Sequence, residues 1–126
     1  MSKLYFEADL KQFEKLGSQN YFLFWTTIDD ICQRAGYHAT EPHIYVLNEG
    51  EDPAGALFLV IAWMDEAHLM GYLKSFLFER DDGIVENGLM DFYSVKIEKA
   101  QKENKVFDLQ KYIEKDKSLC KVFDNY

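Results

Sequence analysis

The chain has 126 residues, a formal net charge of −8 and an apolar share of 48%, with ten Phe, eight Tyr and two Trp. That length predicts a single globular domain over residues 1–126, able to bury a core without disulfide or metal staples. The apolar share excludes a disordered chain, and the surplus of acid excludes direct nucleic-acid binding.

In chain order, Lys3 to Glu7 predicts a short strand, with Leu4 and Phe6 on one face and Lys3, Tyr5 and Glu7 on the other. Ala8 to Leu16 predicts a short helix stopped by Gly17, and Ser18 then offers an N-cap. Tyr21, Phe24, Trp25, Ile28, Ile31, Cys32 and Ala35 recur at helical spacing, ended by Arg34 and Gly36. Tyr37 to Pro42 reads as a connection, and His43 to Leu47 as an apolar strand. The turn cluster Gly50–Gly55 then leads into Ala56–Met64, nine residues without a charge. Its length, its Val60, Ile61 and aromatics predict a central strand buried on both faces, with Trp63 mostly buried. Val60→Asp is expected to be severely destabilising there.

Asp65 is placed to cap a helix with Leu69, Tyr72, Leu73, Phe76, Leu77 and Arg80 on one face, stopped at Asp81-Asp82-Gly83. Ile84 to Gly88 reads as a loop, or as one arm of a hairpin turning on Asn87-Gly88. Asp91 to Glu98 alternates, with Tyr93, Val95 and Ile97 on one side, and predicts a strand with one wet face. Asp108 caps a last helix carrying Leu109, Tyr112 and Ile113. Residues 106–126 thus form a C-terminal helix and a tail whose Leu119, Val122, Phe123 and Tyr126 are expected to dock on the domain. The resulting order predicts an α+β fold: a ferredoxin-like βαββαβ antiparallel sheet with helices on one face and an extra C-terminal helix. A central strand apolar on both sides leaves the second sheet face to be covered by the C-terminal segment or by a second copy, so a monomer or a homodimer is expected.

No chemistry-bearing motif stands out. His38, Glu41 and His43 share no regular face, so no metal site is expected. Cys32 and Cys120 follow no ligand spacing and read as thiols in a reducing compartment, Cys32 inert on an apolar stripe. Asp29-Asp30, Glu51-Asp52 and Asp81-Asp82 are neighbours in sequence, not carboxylates opposed across a cleft. No phosphate-cradling glycine pattern occurs, no cofactor is expected, and a non-catalytic role is favoured over an enzyme. The opening residues carry Glu7 where a secretory signal stays apolar, and no lipidation motif is present, so the expected location is the cytoplasm.

Charge is unevenly spread. From Ala35 to Leu73 there is no Lys or Arg, while Glu41, Glu49, Glu51, Asp52, Asp65 and Glu66 fall there. These six acids, with Tyr45 and Tyr37 as aromatic anchors, predict a surface that docks on a basic protein. The expected function is a small acidic binding protein that inhibits or regulates a basic, nucleic-acid-handling partner. Immunity-type proteins and anti-defence proteins of phages or mobile elements have that role. The alternative is a small-ligand binder or cofactor-free enzyme of the dimeric α+β barrel type, with Tyr21, Trp25, Trp63, His68 and Tyr93 lining a pocket between sheet and helices.

Overall fold

The structure, a computed structural model, describes residues 1–123; Tyr126 of the expected tail lies outside them. Strand β1 (Lys3–Ala8) buries Leu4, Phe6 and Ala8 and turns Lys3, Tyr5 and Glu7 outward. Helix α1 (Leu10–Leu16) starts at Asp9, whose carboxylate accepts from the Lys11 amide at 3.3 Å. Helix α2 (Ser18–Ala35) buries Phe24, Trp25, Ile28, Ile31, Cys32 and Ala35. Its N-cap is Gly17, not Ser18, which already lies in the first turn. It ends on Gly36 at φ 110°, whose amide donates to the Cys32 and Gln33 carbonyls, a left-handed cap that favours glycine.

Residues 37–41 are a strand, not a connection. β2 (Tyr37–Glu41) pairs with β3 (Ile44–Leu47) across a turn at Pro42 and His43, the latter held at φ 67°. As an edge strand it needs no apolar alternation, and apart from Tyr37 its residues are exposed.

The largest correction concerns Ala56–Met64, which lies within helix α3 (Pro53–Glu66) and is not a strand. Asp52 caps this helix by accepting from the Gly55 amide at 3.2 Å, and Pro53 occupies its first turn. That pair is a helix start that a run of turn-forming residues disguises. Buried Ala56, Val60 and Met64 then repeat every four residues, and Ala, Leu and Met outnumber the β-branched pair. The helix expected over residues 69–80 is instead a short 3-10 turn (Met70–Tyr72) followed by β4 (Leu73–Glu79). Leu73, Phe76 and Leu77 satisfy helical spacing. Phe76 and Phe78 also alternate with Ser75, Leu77 and Glu79, and the pairing with β1 selects the strand. A hairpin at Arg80–Ile84 leads to the short β5 (Val85–Asn87).

The strand expected at Asp91–Glu98 lies inside helix α4 (Gly88–Lys102). Asn87 is its cap and accepts from the Met90 amide at 3.0 Å. Phe92, Tyr93 and Ala100 face the core at helical spacing, so the alternation of Tyr93, Val95 and Ile97 is incidental. Gly88 lies against the Phe76 ring: a Cβ there would meet it at 2.8 Å. Asp108 caps α5 (Leu109–Ser118) as expected, accepting from the Lys111 amide.

The five strands form one antiparallel sheet in the order β2-β3-β1-β4-β5, in a mixed α+β domain with five α-helices among the described residues. Leu4 lies between Tyr45 and Phe78, and Phe6 stacks on Phe76 with ring centroids 4.7 Å apart. These side chains share one core with Phe13, Phe24, Val60, Met64, Phe92 and Phe123, so helices and tail pack on one face. Tyr5, Ile44 and Leu77 on the other face are partly exposed. Val46 also lies on that face and is buried, so β3, not the Ala56–Met64 run, is the strand with buried side chains on both faces. The described C-terminal residues are not packed over it. Phe123 instead meets Phe13 and Tyr72 edge-on at 5.9 and 4.9 Å, on the helix side. Among the described residues no helix is long and apolar enough to cross a membrane.

Candidate functional site

Helix α3 is the unusual element. Between Pro53 and Met64 it carries no charged residue, yet only Ala56, Val60 and Met64 are buried. An amphipathic helix keeps a polar face for water, whereas α3 presents Phe58, 69% exposed, and Leu59, 36% exposed. Phe22 on the neighbouring α2 is exposed as well. Single exposed apolar residues are ordinary, but a helix apolar around its circumference and open on one side is a candidate interaction surface.

The acids predicted to form one patch separate around this helix. Glu49, Glu51 and Asp52 lie at its N-terminal end, and Asp65 and Glu66 at its C-terminal end, about 20 Å away at 1.5 Å per residue. Glu41 stands apart from both groups, at the end of β2. Asp52 is occupied as the cap. Asp65 lies 3.7 Å from Lys96 of α4, a counter-charge that the local sequence does not reveal. Tyr45 is no surface anchor. It is buried among the core residues, and its hydroxyl donates to Asp29. Burial first, then that carboxylate, pushes its pKa well up.

The five residues expected to line a pocket do not converge. Tyr21 meets Trp25 edge-on at 6.3 Å, and the His43 ring stacks on Trp25 at 3.4 Å. Burial lowers the pKa of His43, against the pull of Asp29, and so favours the neutral imidazole. Trp63 is half-buried on α3. Tyr93 on α4 faces Tyr112 of α5 at 6.3 Å. His68, at φ 58°, places Nδ1 2.8 Å from the buried Asp116 carboxylate and ties α5 to the end of α3. His38 bonds Asn48 at 2.5 Å, away from His43. No three His, Cys, Asp or Glu side chains gather as a metal site among the described residues. Cys32 is buried and Cys120 half-buried, both free thiols, and burial raises both pKa values.

A cleft of about 330 Å³ opens elsewhere, between the first turns of α3, the start of β1 and the end of β4. Leu4, Tyr37, Leu57 and Phe78 supply apolar walls, and Arg80 and Asp81 stand at its edge. Tyr37 is 2% exposed; burial pushes its pKa up to about 12. Its hydroxyl has no hydrogen-bond partner among the described residues. The cleft joins residues from four separated segments, so no spacing in the sequence announces it. The exposed face of α3 has a signal, the charge-free run itself, once Asp52-Pro53 is read as a helix start. Comparison with protein families, with curated proteins and with solved structures finds no match for this chain.

Proposed function

We propose that this chain is a small acidic binding protein that docks on a basic partner through the outer face of α3 and inhibits or regulates it. The observation that carries this reading is Phe58: 69% exposed, in the middle of a charge-free helix with acids at both ends. Exposed aromatic and aliphatic side chains supply affinity at the centre of an interface. The flanking Glu49, Glu51 and Glu66 accelerate encounter with a basic surface and select against acidic ones. A partner with an apolar groove bordered by Lys and Arg fits that arrangement. Proteins that handle nucleic acid carry such basic surfaces, which supports an inhibitor or immunity-type role, as in anti-defence proteins of phages and mobile elements. Free thiols at Cys32 and Cys120 support a reducing compartment, the cytoplasm. We read the first part of the fold as ferredoxin-like; support comes from the order strand, helix, strand, strand, helix, strand and from the neighbours β2-β3-β1-β4.

The test is affinity capture from host lysate with the wild type, Phe58→Asp and the pair Glu49→Lys/Glu66→Lys, followed by identification of what is retained. All three substituted positions are exposed, so the variants are expected to fold. The expected result is a basic protein held by the wild type, released by added salt, lost with Phe58→Asp and weakened by the charge reversals. Retention of the same proteins by all three baits, or a salt-insensitive acidic partner, overturns the proposal.

A further inference from the structure

We propose that the cleft at the start of α3 binds a small, uncharged, largely apolar molecule that accepts a hydrogen bond from the Tyr37 phenol. At about 330 Å³ it falls within the range of ligand pockets. It has room for about ten non-hydrogen atoms, at the roughly 30 Å³ a water takes in the liquid. Its walls, Leu4, Leu57 and Phe78 with Pro53, are apolar, and such a lining selects an apolar body.

Tyr37 supplies the polar contact. A buried phenol normally finds a hydrogen-bond partner. Tyr37 has none among the described residues, although only 2% of it is exposed. Trp25 Nε1 is the fully buried side-chain polar atom without a partner among the described residues. The Tyr37 oxygen is therefore not sealed in, and Tyr37 is one of the residues that line this cleft. With a pKa pushed up to about 12 by burial, the phenol keeps its proton at neutral pH and acts as a donor.

Two of the surrounding charges, Arg80 and Asp81, are already matched, which argues against a charged ligand. Arg80 is held by Asp82 at 2.6 Å and by Glu86 at 3.4 Å. Asp81 lies 3.6 Å from the terminal amine, and Glu79 accepts from the Tyr5 hydroxyl at 3.2 Å. Lys3 borders the cleft without an ion pair among the described residues, but its side chain belongs to the outward face of β1. A net charge of −8 further disfavours an anion.

Four probes of one size separate the outcomes: acetophenone (uncharged, with an acceptor), ethylbenzene (no acceptor), benzoate and benzylamine. Each is titrated into the full chain while amide NMR shifts are followed. Acetophenone is expected to give saturable shifts at Ala54, Leu57 and Phe78, binding about three- to tenfold more tightly than ethylbenzene, the span that one hydrogen bond supplies. Tyr37→Phe, which keeps the ring, is expected to reduce acetophenone to the ethylbenzene level. Ala54→Leu, at an exposed position bordering the cleft, is expected to block both. No saturable shift with any probe, tighter binding of benzoate or benzylamine, or an acetophenone affinity unchanged in Tyr37→Phe overturns the proposal.

Discussion

Asp52 illustrates how a residue's charge and its geometry lead to different roles. As one acid of a Lys/Arg-free window it reads as a partner contact; in the fold its carboxylate accepts from the Gly55 amide and starts α3. Asp52→Ala is expected to remove about 1 kcal/mol of stability, while Asp52→Asn, which can still cap, stays close to the wild type. Urea unfolding of the two variants checks this; equal losses in both would make the effect one of charge, not of capping. Asp108 and Gly36 were legible because capping chemistry is local. Asn87 was legible as a special position but was assigned to a turn, since the residue types that favour turns also favour N-caps. Asp65 lies inside α3 and does not cap a helix, and its counter-charge, Lys96, is brought to it only by the packing of α4 on α3.

At the scale of elements, three consecutive segments exchanged type, yet the order strand, helix, strand, strand, helix, strand is retained over residues 3–79 with different residues in the roles. Short apolar runs are compatible with either period. The Ala56–Met64 run has its helical repeat only in the residues it buries. The distinction has a direct consequence. In a doubly buried strand Phe58 and Val60 would be equally intolerant of charge, whereas in α3 Phe58 faces water and Val60 is fully buried. Phe58→Lys is expected to change stability by no more than about 0.5 kcal/mol. Val60→Lys is expected to cost several kcal/mol through an unpaired buried charge. Denaturant midpoints for the pair decide it, and a large loss in both would return this segment to the interior. β1 and α2 were legible because each shows its period in the sequence over its whole length, with alternate residues buried in one and a 3.6-residue stripe in the other.

For the molecule as a whole, the tyrosines link the core to pH. Burial is the first cause pushing Tyr37, Tyr72, Tyr93 and Tyr112 up to about 12, and Tyr45 is raised further. In the unfolded chain they titrate near the ordinary value of about 10. Between those values the unfolded state binds fewer protons than the folded one, so stability falls as pH rises. Their contribution is therefore complete below pH 10 and is lost as the pH climbs through about 12. Circular dichroism and tyrosinate absorbance, followed together, are expected to show unfolding accompanied by phenol ionisation within that interval. Ionisation of these tyrosines near pH 10 with the fold intact would contradict it. The same whole-molecule scale separates the two candidate sites. The proposed docking face is one helix and rests on its composition; the cleft exists only where the ends of β1 and β4 meet α3.

The sequence by itself determined that the chain is acidic and rich in core-forming aromatics, where β1, α2 and α5 lie, and that a charge-free apolar run sits at its centre. These are matters of composition, capping and regular period, all readable within a few residues. Tertiary structure alone decided that the run is a helix with one face in water, and that Tyr45 is buried while Phe58 is exposed. It also brought Tyr37, whose hydroxyl has no partner among the described residues, into one cleft with Leu57 and Phe78. The physical reason is that burial and hydrogen-bond satisfaction depend on neighbours distant in the chain, and the pairing of β1 with both β3 and β4 selects those neighbours.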